Sequence, residues 1–147
     1  MDEESKFLIT TKVSTKARVR DSRSFFADAR EQTQKQPAFL ITDGRHPLTD
    51  SIHRELPDAQ HVRLVSIRDK RTNNNNIERL NGTCRDRFKT CRGFQSEETA
   101  EIMTSAFRNY YNFIRPHSAI GTTPAIKAGI GVEMEGNRWM KLLKKSL

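Results

Sequence analysis

The sequence holds only two cysteines, Cys84 and Cys91, too few for a disulfide scaffold. It has no apolar run of the length a bilayer demands, and the charged start MDEESK lacks the pattern of a signal peptide. A cytoplasmic protein without a membrane partner is therefore expected. The four histidines (His46, His53, His61 and His117) fit no compact Cys/His zinc pattern. Apolar residues are scarce as well. They make up 35% of the chain, and Leu, Ile, Val and Phe together number 32, about 22% and just above the range where disorder sets in. No internal repeat is visible, and the one low-complexity run is Asn73–Asn76.

Basic charge is what the chain has in excess. Its 147 residues, a length for one domain, carry 26 Lys and Arg against 18 Asp and Glu, a formal net charge of +8. Such a balance on a core-poor chain points to a polyanionic partner. The excess is concentrated. Between His61 and Arg92 stand nine basic residues (Arg63, Arg68, Lys70, Arg71, Arg79, Arg85, Arg87, Lys89, Arg92) and three acids (Asp69, Glu78, Asp86).

The hydrophobic pattern predicts alternating elements. Phe7–Ser14 reads as a strand, and Asp21 to about Gln34 as a helix with Phe25, Phe26, Ala29 and Thr33 on one face. Ala38–Thr42 reads as a buried central strand, closed by the turn signal Asp43-Gly44. A helix over about Leu48–Leu56 and a strand around His61–Val65 follow. Ser66–Asn76 reads as a loop. A long helix from Ile77 to about Cys91 would bury Ile77, Leu80, Cys84, Phe88 and Cys91, ending at Gly93-Phe94. The next helix starts at Ser96 and would turn Ile102, Met103, Ala106, Tyr110 and Phe113 inward. Thr123-Pro124 reads as an N-cap with proline at the first helical position. The tail around Trp139–Lys145 is basic and amphipathic, and is expected to pack onto its own domain.

Two acids stand at positions where chemistry is often placed. Asp43 ends a strand, at the sheet edge where ligands collect, although Asp-Gly is also a good turn. Glu78 lies in Asn-Asn-Ile-Glu-Arg, where, taken alone, a capping box with Asn75 is the favoured account. A wider pattern joins them. Asp43, 34 intervening residues and Glu78 are followed in order by Arg79-Leu80-Asn81-Gly82-Thr83, Arg92-Gly93-Phe94, Tyr110-Tyr111-Asn112-Phe113-Ile114-Arg115-Pro116-His117 and Thr123-Pro124-Ala125. From about Lys6 to Gly131 the chain resembles the catalytic core of insertion-sequence DDE transposases and integrases.

That resemblance implies a ribonuclease H-like α/β fold with a mixed five-stranded sheet, helices on both faces and a helix-rich C-terminal half. It implies Mg²⁺, with Mn²⁺ as an alternative, held by three carboxylates for two-metal strand cleavage and transfer of DNA. Asp43 would be the second metal-binding catalytic acid and Glu78 the third. Arg68, Lys70, Arg71, Asn75, Arg79, Arg85, Arg87, Lys89 and Arg92 would meet transposon-end or target DNA. Glu78, Gly82, Arg85, Lys89 and Arg92 recur at spacings of 4, 3, 4 and 3, one helical face with a glycine that admits a close backbone. Arg115-Pro116-His117 is read as a closing loop with His117 structural.

One element of the pattern has no counterpart. No residue matches the first catalytic Asp; Asp2 looks like a turn acid, and Asp21 and Asp28 lie in or before the first helix. The expectation is a partial catalytic domain at 1–131, lacking the first two strands, and a basic amphipathic tail at 132–147. Such a chain would hold Mg²⁺ weakly, be inactive alone, and associate with itself or with a full-length transposase. The orphaned first strand would then re-pair with Ala38–Thr42 or stay loosely ordered. The alternative is a non-catalytic DNA-binding or regulatory fragment that joins a full-length transposase.

Overall fold

The computed structural model describes residues 1–16, 18–43, 46–63, 75–130 and 136–146. These form two compact units, Lys12–Ala100 and Met1–Thr11 with Glu101–Leu147. The architecture is mixed α/β and helix-rich, with a two-stranded parallel sheet among the described residues.

In the Lys12–Ala100 unit, α1 (Val19–Thr33) opens where the Asp21 carboxylate accepts the Arg18 backbone N–H at 3.2 Å and the Ser14 hydroxyl at 2.7 Å. These bonds, hydroxyl first, hold its pKa below the ordinary carboxylate value. α1 packs on α2 (His46–Glu55) through Phe26, Ile52 and Leu56, with Phe25, Leu40, Leu48 and Ala59 around them. Each of the three buried side chains contributes about 1.5–3 kcal/mol of apolar transfer. Arg23 pairs with Glu55 at 3.0 Å, and Arg30 donates to the Glu55 carbonyl at the end of α2. Between β1 (Phe39–Thr42) and β2 (Gln60–Arg63), α2 is the crossover that a parallel pair requires. The register pairs Phe39 with Gln60 and Thr42 with Arg63. β1 is not the buried central strand expected. With two strands in the sheet both are edges, and Phe39 is 64% exposed.

Helix α3 (Asn75–Lys89) buries Leu80 and half-buries Ile77, Cys84 and Phe88. It stops two residues earlier than the pattern suggested. The Cys91 N–H bonds the Phe88 carbonyl, and Arg92 (φ 53°) and Gly93 (φ 103°) turn the chain left-handed. Phe94 folds back edge-on to Phe88, with centroids 5.3 Å apart. Cys91 is consequently exposed rather than core. α4 (Glu97–Asn109) is capped by Ser96, whose hydroxyl accepts the Thr99 N–H at 3.1 Å.

The other unit is built on the end of α4 and a π-helical turn, Tyr110–Ile114. The Arg115 N–H reaches the Tyr110 carbonyl five residues back, the widened bond of such a turn. Phe7–Ser14 is not a strand. Instead the Leu8 N–H donates to Asn112 Oδ1 at 2.9 Å while Asn112 Nδ2 donates to the Leu8 carbonyl at 3.0 Å. A side-chain amide supplies both bonds that a neighbouring strand would supply, and Asn112 is 2% exposed. Arg108 donates to the Ile9 carbonyl, and Phe7 packs edge-on to Phe113. The segment does not re-pair with Ala38–Thr42; Leu8 pairs with a helix side chain instead. Asp2 is indeed a turn acid, accepting the Ser5 N–H at 2.7 Å.

The inward face of α4 also differs from expectation. Ala100, Phe107 and Tyr111 are buried, whereas Ile102, Met103 and Ala106 are exposed. Beyond the turn, His117 and Thr122 form an antiparallel bridge. Thr123 then caps α5 (Pro124–Lys127), with Thr123, Pro124 and Ala125 all buried. α6 (Arg138–Ser146) returns to the π-turn, where Trp139 stacks on Tyr110 at 6.2 Å and Arg138 donates to the Ile114 carbonyl.

Candidate nucleic-acid interface

Helix α3 presents the candidate basic residues. Arg79, Arg85, Arg87 and Lys89 are all exposed, as is Glu78 in its first turn. Glu78, Gly82, Arg85 and Lys89 share one face by helical spacing, opposite the side that buries Leu80. Arg87 lies about half a turn away from that face. An acid in the first turn and bases in the last also complement the helix dipole.

Two members of the expected stripe are placed differently. Arg92 lies beyond the helix in the left-handed turn, so it does not continue the face. Asn75 is already helical rather than a cap, and Glu78 makes no hydrogen bond or ion pair among the described residues, so a capping box between them is not formed. Gly82 sits mid-helix, and a Cβ added there would meet nothing within 4 Å. It leaves the exposed face flat beside Arg85. Arg68, Lys70 and Arg71 lie outside the described residues, as does the glycine of the Asp43-Gly44 turn.

Asp43 follows β1 directly and is exposed. Beside it, at the carboxyl end of the sheet, Thr42 Oγ1 lies 2.8 Å from His61 Nε2. Burial, then the neighbouring Arg63 and His53, lower the pKa of His61 and favour its neutral form. By sequence His61 is an ordinary histidine with no motif around it. Only the parallel register, which sets β2 beside β1, brings it to Thr42.

Magnesium requires several hard oxygen ligands on a rigid frame. No group of three His, Cys, Asp or Glu side chains converges among the described residues. α3, which carries Glu78, packs broadly against neither strand. Asp43 and Glu78 are thus not joined by a third acid, and the described residues do not fit a metal pair.

The motif blocks beyond Arg92 do different work. Asn112 holds Leu8, and Tyr111 packs edge-on to His117 with centroids 4.3 Å apart. His117 Nε2 is buried and has no hydrogen-bond partner among the described residues. Burial above all, then Arg115, lowers the His117 pKa, against a raising bond to the Tyr111 backbone. Thr-Pro-Ala forms the buried start of α5. Asn112 was legible as part of a block, but its role as a strand substitute was not.

The described residues form a mixed α/β, helix-rich chain that carries an exposed basic helix, α3. Residues 60–124 match the family model of the integrase core domain. That stretch runs from the first residue of β2 to the first of α5, and the match supports an integrase catalytic core there. The family implies DNA binding and a role in transposition or integration, and integrase core domains generally use divalent metal ions. The match contains Glu78 and α3 but not Asp43. No curated protein and no solved structure matches the chain. No helix among the described residues is long and apolar enough to cross a membrane.

Proposed function

We propose that this chain contributes to transposition by an insertion-sequence DDE transposase, gripping DNA through the exposed face of α3. Glu78 is the third acid of the family site and Asp43 the second, and the chain alone does not transfer strands. The observation that carries the reading is the α3 face itself: Arg85 and Lys89 on the same side as Glu78, inside integrase core sequence. Arginine and lysine there reach phosphate oxygens, and the binding they give is independent of base sequence. Arg79, on the flank of that face, adds to the same contact, and Asn75, Arg87, Arg92, Arg68, Lys70 and Arg71 are further DNA contacts that the family resemblance implies.

The supporting argument for inactivity is chemical. Among the described residues no third acid converges with Asp43 and Glu78, and two carboxylates neutralise a pair of divalent cations poorly. The non-catalytic reading, a DNA-binding regulator that joins a full-length transposase, rests on the same absence and differs only in partner.

Fluorescence anisotropy with duplex DNA across a salt series tests the proposal. Arg85→Ala with Lys89→Ala is expected to weaken binding uniformly across sequences and to lower the salt slope by about 2. Unchanged slope and affinity in that double variant would remove α3 from the interface. Strand transfer on element-end DNA with Mg²⁺ or Mn²⁺ tests the second half: turnover lost in Glu78→Gln would overturn inactivity.

A further inference from the structure

The π-helical turn Tyr110–Ile114 leaves one backbone carbonyl short of a donor. The Arg115 N–H reaches the Tyr110 carbonyl at 2.9 Å, so the Tyr111 carbonyl lacks the partner an α-helix would give it. The next N–H in that register would come from residue 116, a proline, which has none. His117 fills the gap. Its bond to the Tyr111 backbone raises the imidazole pKa, as an accepting carbonyl does, and its Nε2 is buried with no partner among the described residues. The donor is therefore Nδ1–H, and the ring is the neutral tautomer with a bare Nε2. The main chain of His117 is fixed as well. Its N–H donates to the Thr122 carbonyl at 2.8 Å, and its carbonyl accepts the Gly121 N–H at 2.9 Å.

We propose that His117 is an acid-sensitive latch that selects the π-helical turn and so keeps Leu8 docked on Asn112. Protonation puts a second N–H at Nε2, where no acceptor waits, and sets a new charge near Arg115. Arg115 is the charged group that acts on the ring among the described residues, and it repels the imidazolium. The Tyr111 phenol ring packs edge-on to the imidazole and is neutral. The Met1 amino group, whose residue takes the Tyr111 hydroxyl on its Sδ, interacts with Asp2. Once the ring leaves, the turn relaxes to the α-helical register, with the Arg115 N–H on the Tyr111 carbonyl. That carbonyl is then satisfied without His117, but Asn112, the next residue, rotates away from Leu8. Burial and Arg115 hold the latched ring below its ordinary 6.5. The latch is therefore closed above about pH 6.5 and opens as pH falls through the lowered value.

Imidazole nitrogen NMR and amide hydrogen exchange on the full chain test the proposal. At about pH 7.5 the His117 ring shows the Nδ1–H tautomer. Between about pH 7.5 and pH 5.5 the Leu8 amide, corrected for intrinsic exchange, loses protection by about threefold. His117→Asn keeps a donor near the Nδ1 position and cannot titrate, so Leu8 stays protected at both pH values. His117→Leu lowers that protection by about tenfold at pH 7.5. Pro116→Ala restores a backbone N–H for the Tyr111 carbonyl and reduces the cost of His117→Leu. Circular dichroism confirms that each variant is folded. An Nε2–H tautomer in the wild type overturns the latch, and needs no variant to show it. So does Leu8 protection that is indifferent to pH, or a His117→Asn chain that behaves as His117→Leu does. A His117→Leu cost unchanged by Pro116→Ala would overturn the pairing of the proline with the histidine.

Discussion

The two units use their share of the motif blocks in opposite ways. In Lys12–Ala100, the block around Glu78 lies on an exposed helix whose charged side chains point to solvent. In the other unit, the blocks around Asn112 and Thr123 are buried, and their polar atoms are spent on the chain's own backbone. Recurrence of a motif therefore does not identify chemistry. A polar motif residue whose hydrogen bonds are all internal has an architectural role. One that is exposed beside exposed cations is available to a partner.

The sharpest way to break this contrast is Asn112→Ala. It leaves the buried Leu8 N–H and carbonyl without their partners, which costs about 2–4 kcal/mol in the unit that contains them. Hydrogen exchange at the Leu8 amide should accelerate accordingly, whereas α3 amides keep their protection. Faster exchange in α3 alone would show that Asn112 is not the architectural residue.

A change of opposite sign is expected at Gly82. Gly82→Ala meets no neighbour and removes a helix-interior glycine, stabilising α3 by about 0.5–1 kcal/mol. If a DNA backbone approaches that flat surface, the same variant weakens DNA binding while raising the melting temperature. Stability and affinity rising together would remove Gly82 from the contact.

The smallest effect concerns pH. The His117 pKa is lowered in the folded state from an ordinary 6.5, by burial first. The unfolded chain therefore binds more protons below that value. Folding stability from this group is present above about pH 6.5 and is lost as pH falls through the lowered folded value. Urea denaturation at pH 7.5 and at successive steps below 6.5 should show the decline, and His117→Gln should flatten it. An equal decline in the variant would assign the effect elsewhere.

Local patterns explain why much of the fold was legible in advance. Phe25, Phe26, Ala29 and Thr33 at helical spacing place α1, Thr123-Pro124 places α5, and the short apolar run places β1 within a residue. These follow from backbone preference and amphipathic period, which act within a few residues. Phe7–Ser14 has strand composition but no strand beside it among the described residues, and composition cannot say whether a partner exists. Ile102, Met103 and Ala106 fit an apolar helical face as well as Ala100 and Phe107 do, so choosing the buried side needs the neighbours of the helix.

The candidate site divides in the same way. The sequence by itself determines the basic excess, the position of Glu78 and its shared face with Arg85 and Lys89, because helical spacing converts sequence distance directly into direction. It also determines the integrase core match over residues 60–124. Only the tertiary structure decides that Asn112 replaces a strand for Leu8, that His61 meets Thr42, and that Cys91 and Arg92 leave the helix face. Those outcomes depend on which distant groups satisfy a backbone or share a sheet register. That choice is made by packing between segments 19 to 104 residues apart and leaves no periodic trace in the chain.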